Sequence, residues 1–118
     1  MDSITIFDSK NYNVPCGTYT AKFTDLEKIT TSRGLAWKWK FEIDEGELAK
    51  TKISELSDAE SRATTANKTG RFLMALTSKS LKDGETISPA EYVGHRYLLV
   101  VSPKGSDKTQ IATFSTLA

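Results

Sequence analysis

The chain is poor in the residues that most metal and thiol sites need. Its 118 residues include one cysteine, Cys16, and one histidine, His95. A single cysteine excludes an internal disulfide and a multi-cysteine zinc site, and a single histidine excludes a two-histidine metal site within one chain. The sequence also has no Gly-x-x-x-x-Gly-Lys-Ser/Thr and no Gly-x-Gly-x-x-Gly segment, which are the loops that cradle nucleotide phosphates. We therefore predict a protein that is not an enzyme and has no cofactor or metal.

Long apolar runs are missing as well. No stretch approaches the eighteen or so apolar residues that a membrane-spanning helix requires. The first residues, Met-Asp-Ser-Ile-Thr, lack the basic and then apolar pattern of a secretory signal. We expect no membrane partner and a cytoplasmic location.

The charge balance has no excess of either sign. Sixteen Lys and Arg face fifteen Asp and Glu, for a formal net charge of +1. This excludes a polybasic protein whose whole body is attracted to phosphate, but it leaves open one basic face on an otherwise balanced domain. The acidic run Asp44, Glu45 and Glu47 lacks the spacing of a calcium loop and is predicted to be a solvated hairpin tip.

Alternation of apolar and polar residues predicts several short strands. The clearest is residues 35–43, where large apolar residues alternate with Ala36, Lys38, Lys40 and Glu42; the apolar set is Leu35, Trp37, Trp39, Phe41 and Ile43. A period of two also begins at Thr18 and runs to residue 24, with a possible extension to residue 32. Further strands are predicted within residues 48–56, 92–102 and 108–114.

One helix is predicted between the third and fourth strands. Ser57 and Glu60 have the spacing of a capping box, and an apolar stripe follows at helical spacing in Thr69, Phe72, Leu73 and Leu76. Gly70 costs such a helix about 1 kcal/mol relative to alanine, which leaves a later start open.

This order of elements predicts a mainly β fold, a five-stranded OB-type barrel with one α-helix between strands 3 and 4. Residues 1–17 are predicted to be an N-terminal arm that packs on the domain, and residues 18–118 the OB-fold domain. A sandwich, or an open sheet with one helix laid across it, is the alternative.

Cations and aromatic residues suggest a surface for single-stranded nucleic acid, which needs basic side chains for phosphates and ring faces for bases. The predicted phosphate contacts are Lys22, Lys38, Lys40 and Lys52, with Arg33 and Arg96 at the margin. The stacking candidates are Trp37 or Trp39, and Tyr97. The lysines also fit the solvated face of an amphipathic strand, and both tryptophans also fit a core.

Four short segments resemble a known group of proteins. They are residues 14–19 (Val-Pro-Cys-Gly-Thr-Tyr), 34–43 (Gly-Leu-Ala-Trp-Lys-Trp-Lys-Phe-Glu-Ile), 68–76 (Lys-Thr-Gly-Arg-Phe-Leu-Met-Ala-Leu) and 92–96 (Tyr-Val-Gly-His-Arg). The layout is similar to small phage- and prophage-encoded OB-fold proteins that bind single-stranded DNA as replication or recombination accessories. His95 stands where that group often has lysine, and the chain lacks the group's frequent acidic tail. The resemblance implies single-stranded DNA binding, which glycine and apolar positions alone do not establish. It also implies that the cytoplasm is that of a bacterial host cell or a phage-infected cell.

Two functions follow as expectations. The first is a non-enzymatic module that binds single-stranded nucleic acid, DNA above all, with little sequence preference, in replication or recombination. The alternative is a protein-interaction adaptor of phage or mobile-element origin that uses an exposed strand edge or the arm residues Ile4, Ile6 and Phe7. The expected partners are single-stranded DNA and replication or recombination proteins. The sequence is compatible with a homo-oligomer and leaves the oligomeric state open.

Overall fold

The computed structural model describes residues 14–105 and 108–117, which form one antiparallel sheet and a helix. The strands are β1 (Gly17–Thr31), β2 (Gly34–Ile43), β3 (Lys52–Asp58), β4 (Arg96–Lys104) and β5 (Lys108–Thr116). The helix α1 (Lys68–Thr77) and a short 3-10 helix (Pro89–Tyr92) lie between β3 and β4. The strand order across the sheet is β3-β2-β1-β4-β5.

Strand β1 is long because it belongs to both halves of the sheet. Its first part, Gly17 to Lys22, pairs with β4, and its pairing with β2 runs from Ala21 to Thr31. A bulge between Phe23 and Asp25 marks the change from one partner to the other. Bulges bend a strand and increase its twist, so β1 curves around the core instead of crossing it flat.

The predicted fold class is confirmed as a mainly β protein with one helix between the third and fourth strands. The predicted closed barrel is not present, because β3 and β5 stand at opposite ends of the sheet order and do not pair. A side chain links them instead, since Glu55 Oε1 accepts a hydrogen bond of 2.9 Å from the Ile111 N–H. The predicted arm falls largely on residues 1–13, which lie outside the described residues.

The predicted capping box is wrong, because Ser57 and Asp58 belong to β3 and pair with β2. Helix α1 begins at Lys68, where Asn67 is the N-cap and its side chain accepts a 2.9 Å hydrogen bond from the Gly70 N–H. The Asp58 carboxylate instead accepts from the N–H groups of Glu60 and Ser61. These bonds favour the ionised form and hold the pKa of Asp58 below its usual value.

Aromatic rings form a continuous cluster in the core between the sheet and α1. Phe72 of the helix packs against Phe114 of β5 with ring centroids 5.0 Å apart, and against Trp39 of β2 at 5.3 Å. Phe41 lies 5.0 Å from the same Phe114 ring. These pairs meet edge to face, which is a preferred geometry for aromatic side chains. The helix is thereby fixed across the concave side of the sheet.

Gly70 is explained by a close approach of two backbone segments. A Cβ at this position would stand 1.6 Å from the Thr64 carbonyl oxygen, which belongs to the loop that leads into α1. The loop is held there because Asn67 Oδ1 accepts from the Thr64 N–H and Asn67 Nδ2 donates to the Arg62 carbonyl. A residue that weakens the helix by its propensity is therefore required by the packing.

We expect Gly70→Ala to destabilise the fold by about 2–3 kcal/mol, because the added methyl group must displace backbone rather than a flexible side chain. Helix propensity alone predicts the opposite sign, a gain of about 1 kcal/mol. Urea unfolding followed by circular dichroism measures the difference. The exposed Lys79→Ala is the control, and an unfolding midpoint for Gly70→Ala at or above that of the wild type would contradict the packing argument.

Candidate nucleic-acid interface

The alternation along β2 separates an apolar inner face from a basic outer face. Trp39, Phe41 and Ile43 are buried between the sheet and α1. Lys38 and Lys40 alternate with these residues along the strand and are half-buried on its other side. The face that carries the lysines is therefore the outer face of the sheet.

Most of the predicted phosphate-binding residues face a carboxylate. Lys40 Nζ lies 2.9 Å from Glu27 Oε1, and Lys22 Nζ lies 3.8 Å from Glu42 Oε2. The hydrogen bond from Lys40 to Glu27 raises the pKa of the lysine. These are exposed ion pairs, which contribute little to the stability of the fold and exchange partners readily.

Arg96 and Lys52 also lie near acidic side chains. The Arg96 guanidinium binds Asp44 at 2.8 Å and also binds Glu45, and both hydrogen bonds raise its pKa. Lys52 stands opposite Glu42 in the register of β2 and β3. Asp44 and Glu45, which were predicted to belong to a solvated hairpin tip, therefore pair with Arg96. The sequence had placed Arg96 at the margin of the phosphate-binding surface.

Two of the three stacking candidates lie in the core. Trp39 and Tyr97 are both 0% exposed. The Trp39 indole N–H donates to Ser57 Oγ at 2.8 Å, and the Tyr97 hydroxyl donates to the Leu76 carbonyl at 2.7 Å. Neither ring has a free face for a base in this conformation. Trp37 is half-buried, and Lys28 Nζ lies 5.2 Å from its ring centroid.

A groove of about 210 Å3 lies where β1, β2 and β3 meet the β4–β5 hairpin. Its outer-face residues are Ile29, Lys38, Ser54 and Leu56, and the hairpin contributes Lys104 and Thr109. Leu56 is 43% exposed and gives the groove apolar surface that is open to solvent. Lys38 was predicted from the sequence, whereas Leu56 and Lys104 were not.

The lysines at this groove have no ion-pair partner in the described part of the chain, whereas its one carboxylate is already bound. Among the described residues, neither Lys38 nor Lys104 has a carboxylate within ion-pair distance. Glu55 also borders the groove, but its carboxylate is occupied by Lys68 Nζ at 2.6 Å and the Ile111 N–H at 2.9 Å. Glu27 stands opposite Lys38 in the register of β1 and β2, but its carboxylate is bound to Lys40. The groove therefore combines two lysines that form no ion pair with a described carboxylate and exposed apolar surface.

Arg33 lies in the turn between β1 and β2, four residues beyond Ile29 along the chain, and is exposed. Its backbone N–H donates to Thr31 Oγ1, which fixes the turn.

The predicted cations do not form one cluster. Lys38 lies at the groove with Lys104. Lys22 and Arg96 are opposite each other where β1 pairs with β4.

Residues 14–105 and 108–117 contain no group of three His, Cys, Asp or Glu side chains placed to hold a metal ion. Within the same ranges no helix is long and apolar enough to cross a membrane. Comparison with known proteins gives no matching family model, no matching curated protein and no matching solved structure.

The burial of Tyr97 predicts a change of stability in alkali. Desolvation of the phenolate raises the pKa of Tyr97 from 10.0 to about 12 in the folded protein. The folded state therefore keeps the proton after the unfolded chain has lost it. The free energy of unfolding should be unaffected by this group below pH 10 and should fall as the pH rises from 10 towards about 12.

We expect Tyr97→Phe to cost about 1 kcal/mol near neutral pH, through the lost hydrogen bond to Leu76, and to flatten the decline of stability above pH 10. Urea unfolding of both proteins across that range gives the two slopes. Tyr92→Phe removes a neighbouring phenol that also raises the pKa of Tyr97, though less than burial does, and should flatten the slope less than Tyr97→Phe. Equal slopes for the wild type and Tyr97→Phe would show that Tyr97 does not carry the effect.

Proposed function

We propose that the protein is a non-enzymatic module that binds single-stranded DNA in the groove between β1, β2, β3 and the β4–β5 hairpin. The observation that carries the proposal is that Lys38 and Lys104, neither of them paired to a described carboxylate, border the same groove as the exposed Leu56. Cations that follow the phosphates and apolar surface that contacts base faces are the two requirements of single-strand binding.

An OB-type arrangement supports this proposal. The strand order β3-β2-β1-β4-β5, with the helix between β3 and β4, is compatible with an OB-type barrel left open between β3 and β5. The outer face of the second and third strands is where OB-folds bind oligonucleotides. The groove uses Lys38 of β2 and Leu56 of β3, which stand opposite each other in the register.

The composition of the groove favours binding with little sequence preference. Apolar contacts from Leu56 and Ile29 suit the face of any base, because they read no hydrogen-bonding edge. The described residues that line the groove include no aromatic ring. We therefore propose that bases pack on aliphatic side chains here, and that phosphate contacts supply most of the affinity.

Neighbouring cations would extend the surface by exchanging partners. Lys40 follows Lys38 on the outer face and is bound to Glu27 through an exposed ion pair. A phosphate can take the place of such a carboxylate at little cost. Lys22, Lys52 and Arg96 would require the same exchange with Glu42, Asp44 or Glu45, so we place them at the margin of the proposed surface and Lys38 and Lys104 at its centre.

The role in replication or recombination, and the phage origin, rest on the resemblance of the sequence segments and are part of the same proposal. The adaptor alternative through Ile4, Ile6 and Phe7 concerns residues outside the described part of the chain. The structure supports an interaction surface elsewhere, on the other side of the sheet.

We expect the double variant Lys38→Glu and Lys104→Glu to bind labelled oligo-dT at least about tenfold more weakly, because each change places a negative charge beside phosphate. The slope of log affinity against log salt should fall by about 1.4, or about 0.7 for each lost phosphate contact on a single strand. Fluorescence anisotropy at two or more salt concentrations measures both quantities.

The matched control is the double variant Lys79→Glu and Lys82→Glu, which changes the net charge equally outside the groove. Lys22→Glu tests the margin and should have a smaller effect than either central lysine alone. If the control and the groove variant weaken binding to the same degree, net charge rather than the groove determines the affinity, and the proposal fails.

We expect Leu56→Ser to weaken oligo-dT binding several-fold without changing the salt slope, because it removes apolar contact and leaves the cations in place. Leu35→Ser removes another exposed leucine, from a position that does not border the groove. An equal loss for the two variants would argue against base contact at Leu56.

A further inference from the structure

A second cavity, the β1 cleft, lies against the inner face of the sheet and has about 520 Å3. Its apolar lining comes from β1, β2, α1 and the segment around the 3-10 helix: Leu26, Trp37, Leu73, Ile87, Pro89 and Val93. Val93 is 50% exposed, and Trp37 is half-buried. A volume of this size is typical of a binding pocket, and the apolar surface is open to solvent on one side.

The β1 cleft lies along a strand edge without a strand partner. The pairing of β1 with β4 ends at Lys22, and the next residue, Phe23, exchanges backbone hydrogen bonds with Gly94 and His95. From Asp25 to Thr31, β1 pairs only with β2 among the described strands. An edge of this kind accepts an extended peptide by β-strand addition, with alternate side chains directed into an adjoining groove.

The charged residues near the β1 cleft are mostly acidic. Asp25 lines it, Asp58 and Glu60 flank the lining residue Ala59, and Glu91 follows the lining residue Ala90. Three cations oppose these four carboxylates. Lys40 stands opposite Asp25 in the register of β1 and β2, and Asp25 contributes to the raised pKa of Lys40. Lys28 lies over the Trp37 ring, and Arg62 lies between the lining residues Ser61 and Ala63. The balance repels phosphate and attracts a basic ligand.

The geometry points to a protein-binding site in which a partner's apolar and basic segment adds as an extended strand beside residues 25–31 of β1. Its apolar side chains would occupy the β1 cleft against Trp37 and Val93. Its Lys or Arg side chains would pair with Asp25 and the neighbouring carboxylates. Because the site and the groove lie on opposite faces of the sheet, it does not depend on the proposed binding of DNA.

Three fluorescein-labelled peptides of one design test the site: Gly-Ser-Leu-Phe-Lys-Lys-Leu-Phe-Gly, and the same sequence with Glu-Glu or Ser-Ser in place of Lys-Lys. We expect the lysine peptide to bind most tightly by anisotropy, the serine peptide more weakly and the glutamate peptide least. Val93→Asp should weaken the lysine peptide about tenfold or more, because it places a charge in the apolar contact. Equal affinity of the lysine and glutamate peptides would overturn the charge argument.

Controls separate this site from the groove. Leu56→Ser, on the outer face, should leave peptide binding unchanged, and Val93→Asp should leave oligo-dT binding unchanged. Asp25→Asn keeps a side-chain oxygen that can accept a hydrogen bond from the Leu26 N–H, as Asp25 Oδ1 does at 2.8 Å. Of the three peptides, only the lysine peptide should bind this variant more weakly. Circular dichroism of each variant confirms that the fold is retained. Loss of oligo-dT binding in Val93→Asp would overturn the assignment of separate faces.

The two tryptophans provide a direct readout by NMR. The sequence has only Trp37 and Trp39, so the spectrum has two indole N–H signals, which Trp37→Phe assigns. The lysine peptide should shift the Trp37 signal more than that of Trp39, which also lines the β1 cleft but is buried. If oligo-dT shifts the Trp37 signal and the peptide does not, the β1 cleft belongs to nucleic acid and the protein-binding proposal is wrong. No shift with the lysine peptide also rejects it.

Discussion

The buried carboxylate of Glu55 holds together three elements that backbone pairing leaves separate. It extends from β3, accepts a hydrogen bond from the Ile111 N–H of β5 and pairs with Lys68 at the start of α1. A carboxylate that is 8% exposed is costly to desolvate, and this cost is offset only while both partners remain. Glu55 therefore sets the distance between the two end strands, and with it the shape of the groove that Lys38 and Lys104 border.

A second polar side chain of β3, Ser57, links this strand to β2 and to α1. Ser57, two residues further along β3, accepts from the Trp39 indole and shares a 2.7 Å hydrogen bond with Thr69 of α1. Glu55 and Ser57 both point inward, so Ser54 and Leu56 are left to the outer face. The exposure of Leu56 thus follows from the inner polar contacts of its neighbours, because alternation along a strand gives adjacent residues opposite faces.

The sequence was sufficient for the features that depend on local periodicity. The range of β2 and the presence of a helix before the fourth strand follow from alternation and helical spacing. Which face of β2 is buried did not follow from the sequence, and the extension of β1 to Thr31 was only one possibility. The capping box failed because the ladder between β2 and β3 runs as far as Asp58, and local spacing carries no information on that pairing. The burial of Tyr97 and the role of Lys104 depend on long-range contacts in the same way. Leu56 was detectable as an apolar residue on a polar strand face, but only once the register was known.

Charge is distributed by face in this protein, which explains how a net charge of +1 is compatible with two oppositely charged sites. On the outer face, Glu27 and Glu42 each have a basic partner, whereas Lys38 and Lys104 at the groove have no carboxylate within ion-pair distance among the described residues. At the β1 cleft, the Asp58 carboxylate is held ionised by backbone N–H groups rather than by a cation, so its negative charge stays uncompensated. One sheet can therefore present a phosphate-attracting surface and a phosphate-repelling surface. Because an exposed charge acts over about 10 Å at moderate salt, the separation of the two faces limits how strongly a ligand on one affects the other.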